Sequence, residues 1–341
     1  MGPERVTGGS RPRVGLVLGA GGVLGAAWMT GALPAVQERL ACAINDVDMI
    51  VGTSAGSVLA AALRCRIGID EIISYQRGEA VGALLSPGVR DVDGGPLPPP
   101  PRLRLGSPRL MLATVLTPHR VHPWVGASAF LPHGRARHVA LRAMVHTLHS
   151  NAHRLSVPHG SAPQEPVQWV DGQTWIVAVD YDTGRRVIFG REGAPLAPLP
   201  DAVVASCSIP GWYEPAVING RRYVDGGVRS ATSLGVLARA RLDEVYVLAP
   251  MASVETDHPR MPHERLERRL RRLITLALLR EVKALRSLGS RVTVLTPGPE
   301  DLAEMGANLM DRRRRRAVVE TSLRTSASAL AGRLRDQPQV A

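Results

Sequence analysis

Between Val14 and Val36 the chain carries no charged side chain, yet the same stretch holds Gly15, Gly19, Gly21, Gly22, Gly25, Gly31 and Pro34. Its length and apolarity, after Arg11 and Arg13, would fit a membrane span or a signal sequence. The central glycines argue against both, because glycine weakens helix interiors and marks turns. The pattern predicts a buried strand over 14–18, a glycine-rich turn, and a helix over 26–40. No signal peptide or transmembrane helix is then left. Cys42, Cys65 and Cys207 form no pairing pattern and are too few for a cysteine zinc site. They read as free thiols of a cytoplasmic protein.

The rest of the chain repeats this alternation. A second apolar strand is expected over 47–51 and a helix over 54–66. A hairpin of strands 174–180 and 186–189 turns at Asp182-Thr183-Gly184. A helix over 200–208, a short strand over 222–224 and a helix over 230–241 follow. Strands over 245–248 and 292–295 flank a long helix over 262–288, and 301–331 is mostly helical. Such an order implies an α/β fold, with a mainly parallel sheet and helices on both faces. Hydrophobic residues make up 45% of the 341, enough for a sizeable core. Residues 1–12 read as a flexible N-terminus, 13–311 as the α/β domain, and 312–341 as a basic C-terminal helix and tail. Residues 86–165, with Pro98 to Pro101 and eight of the ten histidines, read as an irregular cap insertion.

Three short motifs carry chemistry. Gly52-Thr53-Ser54-Ala55-Gly56 matches G-x-S-x-G directly after an apolar strand and directly before a helix, the setting of a nucleophile elbow. Such a turn leaves no room for side chains two residues either side of the serine. It aims Ser54 Oγ at a helix N-terminus, where the Ala55 N–H can stabilise an oxyanion. The turn Gly19-Ala20-Gly21-Gly22-Val23-Leu24-Gly25 has three readings: a bare turn, an oxyanion loop beside the elbow, or a dinucleotide phosphate cradle. For the last, Gly19, Gly21 and Gly25 space one residue too long, and Asp46 and Asp48 lie at the wrong end of the next strand. Asp225-Gly226-Gly227 is a turn or a strand-end carboxylate.

In this order, with Ala205-Ser206-Cys207-Ser208-Ile209-Pro210-Gly211 before Tyr223-Val224-Asp225, the motifs resemble the patatin-like phospholipases. The resemblance covers roughly 13–66 and 174–250. It implies a three-layer α/β/α fold and a serine acyl hydrolase of the phospholipase A or lipid esterase type, without cofactor or metal. Ser54 would be the nucleophile and Asp225 its base, with oxyanion amides from Gly21, Gly22, Val23 and Ala55. Gly19, Gly25, Gly52, Gly56, Gly226 and Gly227 are the motif glycines. Two departures stand out: Ala20 replaces a glycine and Leu24 a basic residue. They favour an alternative, a catalytically reduced relative that binds lipid or a partner. An oxidoreductase using the Gly19–Gly25 turn would leave the elbow and Asp225 unexplained.

A Ser-His-Asp hydrolase of α/β type places its histidine last in the chain. Here the last are His258 and His263, at a proline-rich helix start, which favours a dyad. His146, His149 and His153 share one face of a possible helix, without a carboxylate to complete a metal site. Cys207 reads as a small buried residue. The net charge of +12 favours anionic partners. Aromatics at 4% and no recognition motif speak against nucleic acid. Arg312 to Arg316, and Arg265, Arg268, Arg269, Arg271 and Arg272, read as solvated faces or as a landing surface for anionic membrane. Leu266, Leu270, Leu273 and Leu276 read as the core-facing stripe of the same helix.

Overall fold

The computed structural model describes residues 11–79, 97–100, 102–156, 169, 172–255 and 261–335. Most of the expected N-terminal segment, residues 86–96 and 157–165 of the expected insertion, His258 and the tail from 336 lie outside the described residues.

The strands are β1 (Val14–Leu18), β2 (Met49–Thr53), β3 (Arg102–Leu105), β4 (Pro132–His133), β5 (Gln173–Asp180), β6 (Arg186–Phe189), β7 (Ala216–Ile218), β8 (Arg221–Asp225), β9 (Glu244–Leu248) and β10 (Arg291–Leu295). The helices are α1 (Gly22–Gln37), α2 (Ala55–Arg64), α3 (Ile69–Arg77), α4 (Pro108–Leu116), α5 (Pro123–Ser128), α6 (Val139–Ser156), α7 (Leu199–Cys207), α8 (Pro262–Arg286), α9 (Pro299–Met305) and α10 (Arg315–Arg335). In the main sheet β10, β9, β1, β2 and β5 run parallel. β8 and β7 extend it antiparallel, and β6 returns against β5 as the expected hairpin. β1 and β2 are buried along their whole length, as central parallel strands covered on both faces must be.

Register positions the site. Leu18 pairs with both Gly52 and Leu248, so β1, β2 and β9 finish together at one edge. Thr53 lies opposite Val177, and the next residue of β5, Ala178, lies opposite Asp225. The residue before the elbow serine and the end of β8 therefore flank β5 at one level. Arg64, buried at the end of α2, donates to the carbonyls of Val47 and Gln173 and to Thr174 Oγ1. It ties α2 to the far ends of β2 and β5.

One apolar layer packs α1, α2 and α7 around Trp28, Leu33 and Leu63. On the opposite face Leu278, Val282 and Leu285 of α8 pack on Val17, Met49 and Val245. A third cluster seats Leu110, Val125 and Ala129 of the insertion on Val179, Tyr181 and Val224. The expected membrane-like run resolves into β1 and α1. Among the described residues no helix is long and apolar enough to cross a membrane.

Three expectations differ from the structure. The insertion holds α4, α5, α6 and the β3–β4 pair where irregular chain was expected. In α6 the buried Val145, Leu148 and Ala152 sit at helical spacing among histidines that hide the apolar stripe in the sequence. The helix expected over 230–241 is a 3₁₀ turn, Leu234–Arg239. Ser233 takes a left-handed φ of 53°, and the Ser230 and Thr232 hydroxyls bond Glu281 of α8. The leucine stripe of α8 faces outward, with Leu266, Leu270, Leu273 and Leu276 all exposed. Toward its start the side of α8 turned to the sheet is polar: Arg271 is buried, pairs with Glu267, and donates to the carbonyls of Pro250 and Ala252.

α10 packs on α1. A Cβ on Gly31 would stand 2.7 Å from Ser322 Cβ, and Ser322 Oγ donates to the Trp28 carbonyl at 2.7 Å. The arginine run before it is divided among tasks. Arg313 pairs with Asp311, Arg314 donates to the last carbonyls of α9, and Arg315 donates to the Tyr75 and Gln76 carbonyls at the end of α3. Cations at helix C-termini satisfy orphan carbonyls and oppose the helix dipole.

Candidate active site

Ser54 sits between β2 and α2 with φ 52° and ψ −123°, a strained conformation for a non-glycine residue. The flanking glycines show what imposes it. A Cβ on Gly52 would come within 2.6 Å of Ser57 Cα, and one on Gly56 would overlap the Leu18 carbonyl. Gly56 N–H instead donates to the Gly19 carbonyl at 3.1 Å, tying the elbow to the glycine loop. Ser57 Oγ donates to the Ser54 carbonyl at 2.6 Å.

Asp225, the last residue of β8, is as buried as Ser54. Its carboxyl receives a hydrogen bond from Gly227 N–H at 2.7 Å, and the Ser54 side chain lies near enough to pull its pKa down. Burial pushes its pKa up to about 6, against the pull of those two groups. The glycines after it are fitted to their neighbours: a Cβ on Gly226 would overlap the Val177 carbonyl, and one on Gly227 would stand 3.0 Å from Ala20 Cβ.

One segment that the motifs did not single out for a role joins the two. Ser206 Oγ accepts from Ser54 N–H at 2.8 Å and donates to the Val177 carbonyl at 2.6 Å. The Ser208 carbonyl accepts from Asp225 N–H at 2.9 Å. Both belong to Ala205-Ser206-Cys207-Ser208. Cys207 is buried, its Sγ lies 3.6 Å from Ser57 Oγ, and burial pushes its thiol pKa up, so it stays protonated.

The glycine loop lies beside the elbow. Gly22 and Val23 open α1, where N–H groups have no carbonyl one turn back, and Ala55 opens α2 in the same way. Gly22, Val23, Ala55 and Ser54 line one cavity; Gly21 stands just behind, as the cap residue of α1. Ala20 N–H is used by the Ala231 carbonyl at 2.7 Å, and Leu24 N–H by the Leu309 carbonyl at 2.9 Å. Ala20 therefore offers no amide to the site, and the fully buried Leu24 side chain belongs to the core. The loop glycines accommodate protein atoms: Gly21 and Gly25 receive the Pro250 ring, and Gly22 receives Met310 Sδ. That packing supplies the reason for the glycines that a dinucleotide would otherwise have had to supply.

The cavity holds about 160 Å³ and is walled mainly by apolar groups, among them Ala26, Val58, Leu141, Met144 and Met310. Arg312 and Arg315 also border it. Arg315 stacks on the Tyr75 ring at 5.0 Å while capping α3. A histidine absent from the motif argument, His138, lines the same cavity. Its ring stacks on Tyr213 at 3.7 Å, and Nε2 is hydrogen-bonded to the Cys207 carbonyl at 3.0 Å. That bond occupies one of its nitrogens. Of the three histidines expected to share a face, His149 is buried in α6 and the side chain of His153 lies outside the described residues. Among the described residues no cluster of three metal-ligating side chains occurs.

The family profile described as patatin-like phospholipase matches residues 16–238, about two thirds of the chain. Two solved structures are similar at low identity. VipD from Legionella pneumophila aligns with 92% of this chain and 68% of its own, at 14% identity and a TM-score of 0.39. The type III effector protein ExoU aligns with 96% of this chain and 61% of its own, at 17% identity and a TM-score of 0.32.

Proposed function

The chain belongs to the patatin-like phospholipase family, and on that premise we propose that it is a serine acyl hydrolase cleaving lipid acyl esters through a Ser54–Asp225 dyad. The observation that carries this reading is the buried pair itself: a strained serine at a helix N-terminus beside a buried carboxyl whose pKa is raised to about 6. A carboxylate with its pKa raised to about 6 is a better base than an ordinary one and still ionised at pH 7.

In the proposed reaction Asp225 takes the Ser54 proton as Oγ attacks the ester carbonyl. The oxyanion of the tetrahedral intermediate is met by the N–H groups of Gly22, Val23 and Ala55, with Gly21 behind them. Asp225 returns the proton to the leaving alcohol, leaving an acyl group on Ser54. Water, deprotonated by Asp225, then releases the fatty acid. The apolar cavity beside Ser54 suits the acyl chain.

The two departures from the family pattern do not touch these groups, since Ala20 and Leu24 are committed to backbone bonding and the core. That supports an active enzyme over a binding-only relative. The test is labelling by a fluorophosphonate together with hydrolysis of a chain-length series of p-nitrophenyl esters. Wild type should label and turn over, and Ser54→Ala should do neither. Full labelling of Ser54→Ala would refute the nucleophile assignment.

A further inference from the structure

The middle of the insertion is one-sided in charge, although Asp91, Asp93 and Glu165 fall in its flanks. Residues 97–156 contain eight arginines and no aspartate or glutamate, and so supply eight of the twelve net positive charges. Its apolar residues divide into two sets. Leu110, Val125 and Ala129 are buried against the sheet. Leu112, Val115 and Leu116 lie on the opposite side of α4, between 60% and 67% exposed, at a spacing that places them on one face. Trp124 of α5 is 55% exposed and Phe130, one of only two phenylalanines in the chain, is 50% exposed.

The buried side of the insertion adjoins the site. Val228, in the turn after Asp225, packs on the cluster beneath α4 and α5. Leu131 Cβ lies 3.5 Å from where a Gly211 Cβ would stand, between the cavity-wall residues Ile209 and Tyr213. Ala136 bridges Tyr213 through the backbone.

From this arrangement we infer that α4, α5 and the turn at Phe130 and Leu131 form a docking surface for an anionic lipid bilayer, which seats the mouth of the Ser54 cavity at the membrane. Exposed leucine, tryptophan and phenylalanine beside Arg109 and Arg120 suit the boundary between headgroups and acyl chains, and the arginine excess attracts anionic lipid. A second copy is a poor occupant, because it would bring Arg109 and Arg120 against the same two residues. The outward leucines of α8 are the competing surface, on a helix from which no residue lines the Ser54 cavity. The inference rests on the acyl-hydrolase reading for its meaning, but not for its test.

The test uses the full chain carrying Ser54→Ala, so that vesicles stay intact. Co-sedimentation is measured with vesicles of phosphatidylcholine alone and of equimolar phosphatidylcholine and phosphatidylglycerol. Binding to the anionic vesicles is expected, and Trp124→Ala with Phe130→Ala, or Leu112→Ser with Leu116→Ser, should weaken it by roughly tenfold or more. Thermal unfolding should move by no more than about 2 °C, since these side chains are exposed. Arg109→Gln with Arg120→Gln should reduce the preference for anionic over neutral vesicles. The inference is overturned if the insertion variants sediment like their parent, if neutral vesicles bind equally well, or if only Leu266→Ser with Leu270→Ser releases the protein. It is also overturned if the insertion variants instead dissociate a solution dimer. Fluorophosphonate labelling of otherwise unaltered protein, done without lipid, tests the catalytic reading separately: either result can fail while the other stands.

Discussion

The backbone N–H of Ser54 donates to the hydroxyl of Ser206 at 2.8 Å, across 152 residues of sequence. The strained backbone of Ser54 is thus held by a side chain from α7 that also bonds the Val177 carbonyl. Ser206→Ala removes both bonds inside the core and should cost about 1–3 kcal/mol of stability. It should also lower kcat more than it raises KM, because the elbow loosens while the cavity wall stays. Thermal unfolding and steady-state kinetics on one ester check this. Unchanged values in both would show that the elbow holds without Ser206.

Gly56 of the elbow and Gly68 before α3 separate by what surrounds them. Gly56→Ala would drive a methyl group into the Leu18 carbonyl and should cost about 3 kcal/mol or more, or prevent folding. Gly68 caps α3 with φ −68° and has open space around its Cα. Gly68→Ser should stabilise by a few tenths of a kcal/mol through a better N-cap. Denaturant unfolding of the two variants should therefore shift in opposite directions.

In the proposed mechanism Asp225 makes activity and stability respond oppositely to pH. The proposed reaction needs its carboxylate, so kcat/KM should rise with pH through about 6 and level off above. Folding raises this pKa from the usual carboxylate range, so the native state holds the proton more tightly than the unfolded chain. Stability from this group is full at low pH and is lost as pH rises toward 6. Asp225→Asn should consequently abolish turnover while raising stability at pH 8 by about 2 kcal/mol, with little gain at pH 4. A variant less stable than wild type at pH 8 would contradict a carboxylate held under strain.

Leu24 occupies a position where the family usually has a basic residue, yet it is fully buried in the main apolar layer. Leu24→Arg should not restore a family feature. It should bury an unpaired charge and yield little folded protein. Leu24→Ala should fold with a loss of about 2–5 kcal/mol. Soluble yield and thermal melts distinguish the two.

Gly31→Val tests whether α10 belongs to the core. The added side chain would meet Ser322 Cβ and the Val319 carbonyl, and should lift α10 from α1. A fall in melting temperature, with faster proteolytic trimming from the C-terminus, is the expected result.

The strands and the elbow were legible because each carries a local signature. Central strands are continuous apolar runs, and Gly52 and Gly56 bracket a serine at a strand–helix junction. The loop after β1 was legible as a site element but not in detail, since Ala20 and Leu24 spend their N–H groups on Ala231 and Leu309, far away in sequence. Ser206 was out of reach for the same reason: nothing local marks a serine whose two partners lie in β5 and at the elbow. The outward leucines of α8 were misread because spacing gives a face but not its direction. Only the tie from Arg271 to Pro250 shows that a charged side chain there points inward. The helices of the insertion were hidden by prolines and histidines between their apolar positions.

Pro250 has a further consequence. Its ring fills the hollow left by the absent side chains of Gly21 and Gly25, and Arg271 clamps its carbonyl from the opposite layer. The glycines that give the loop its nucleotide-like look are thus a socket for the chain's own proline. The N–H groups of Gly22 and Val23 are backed by that proline, so the loop is braced without any ligand.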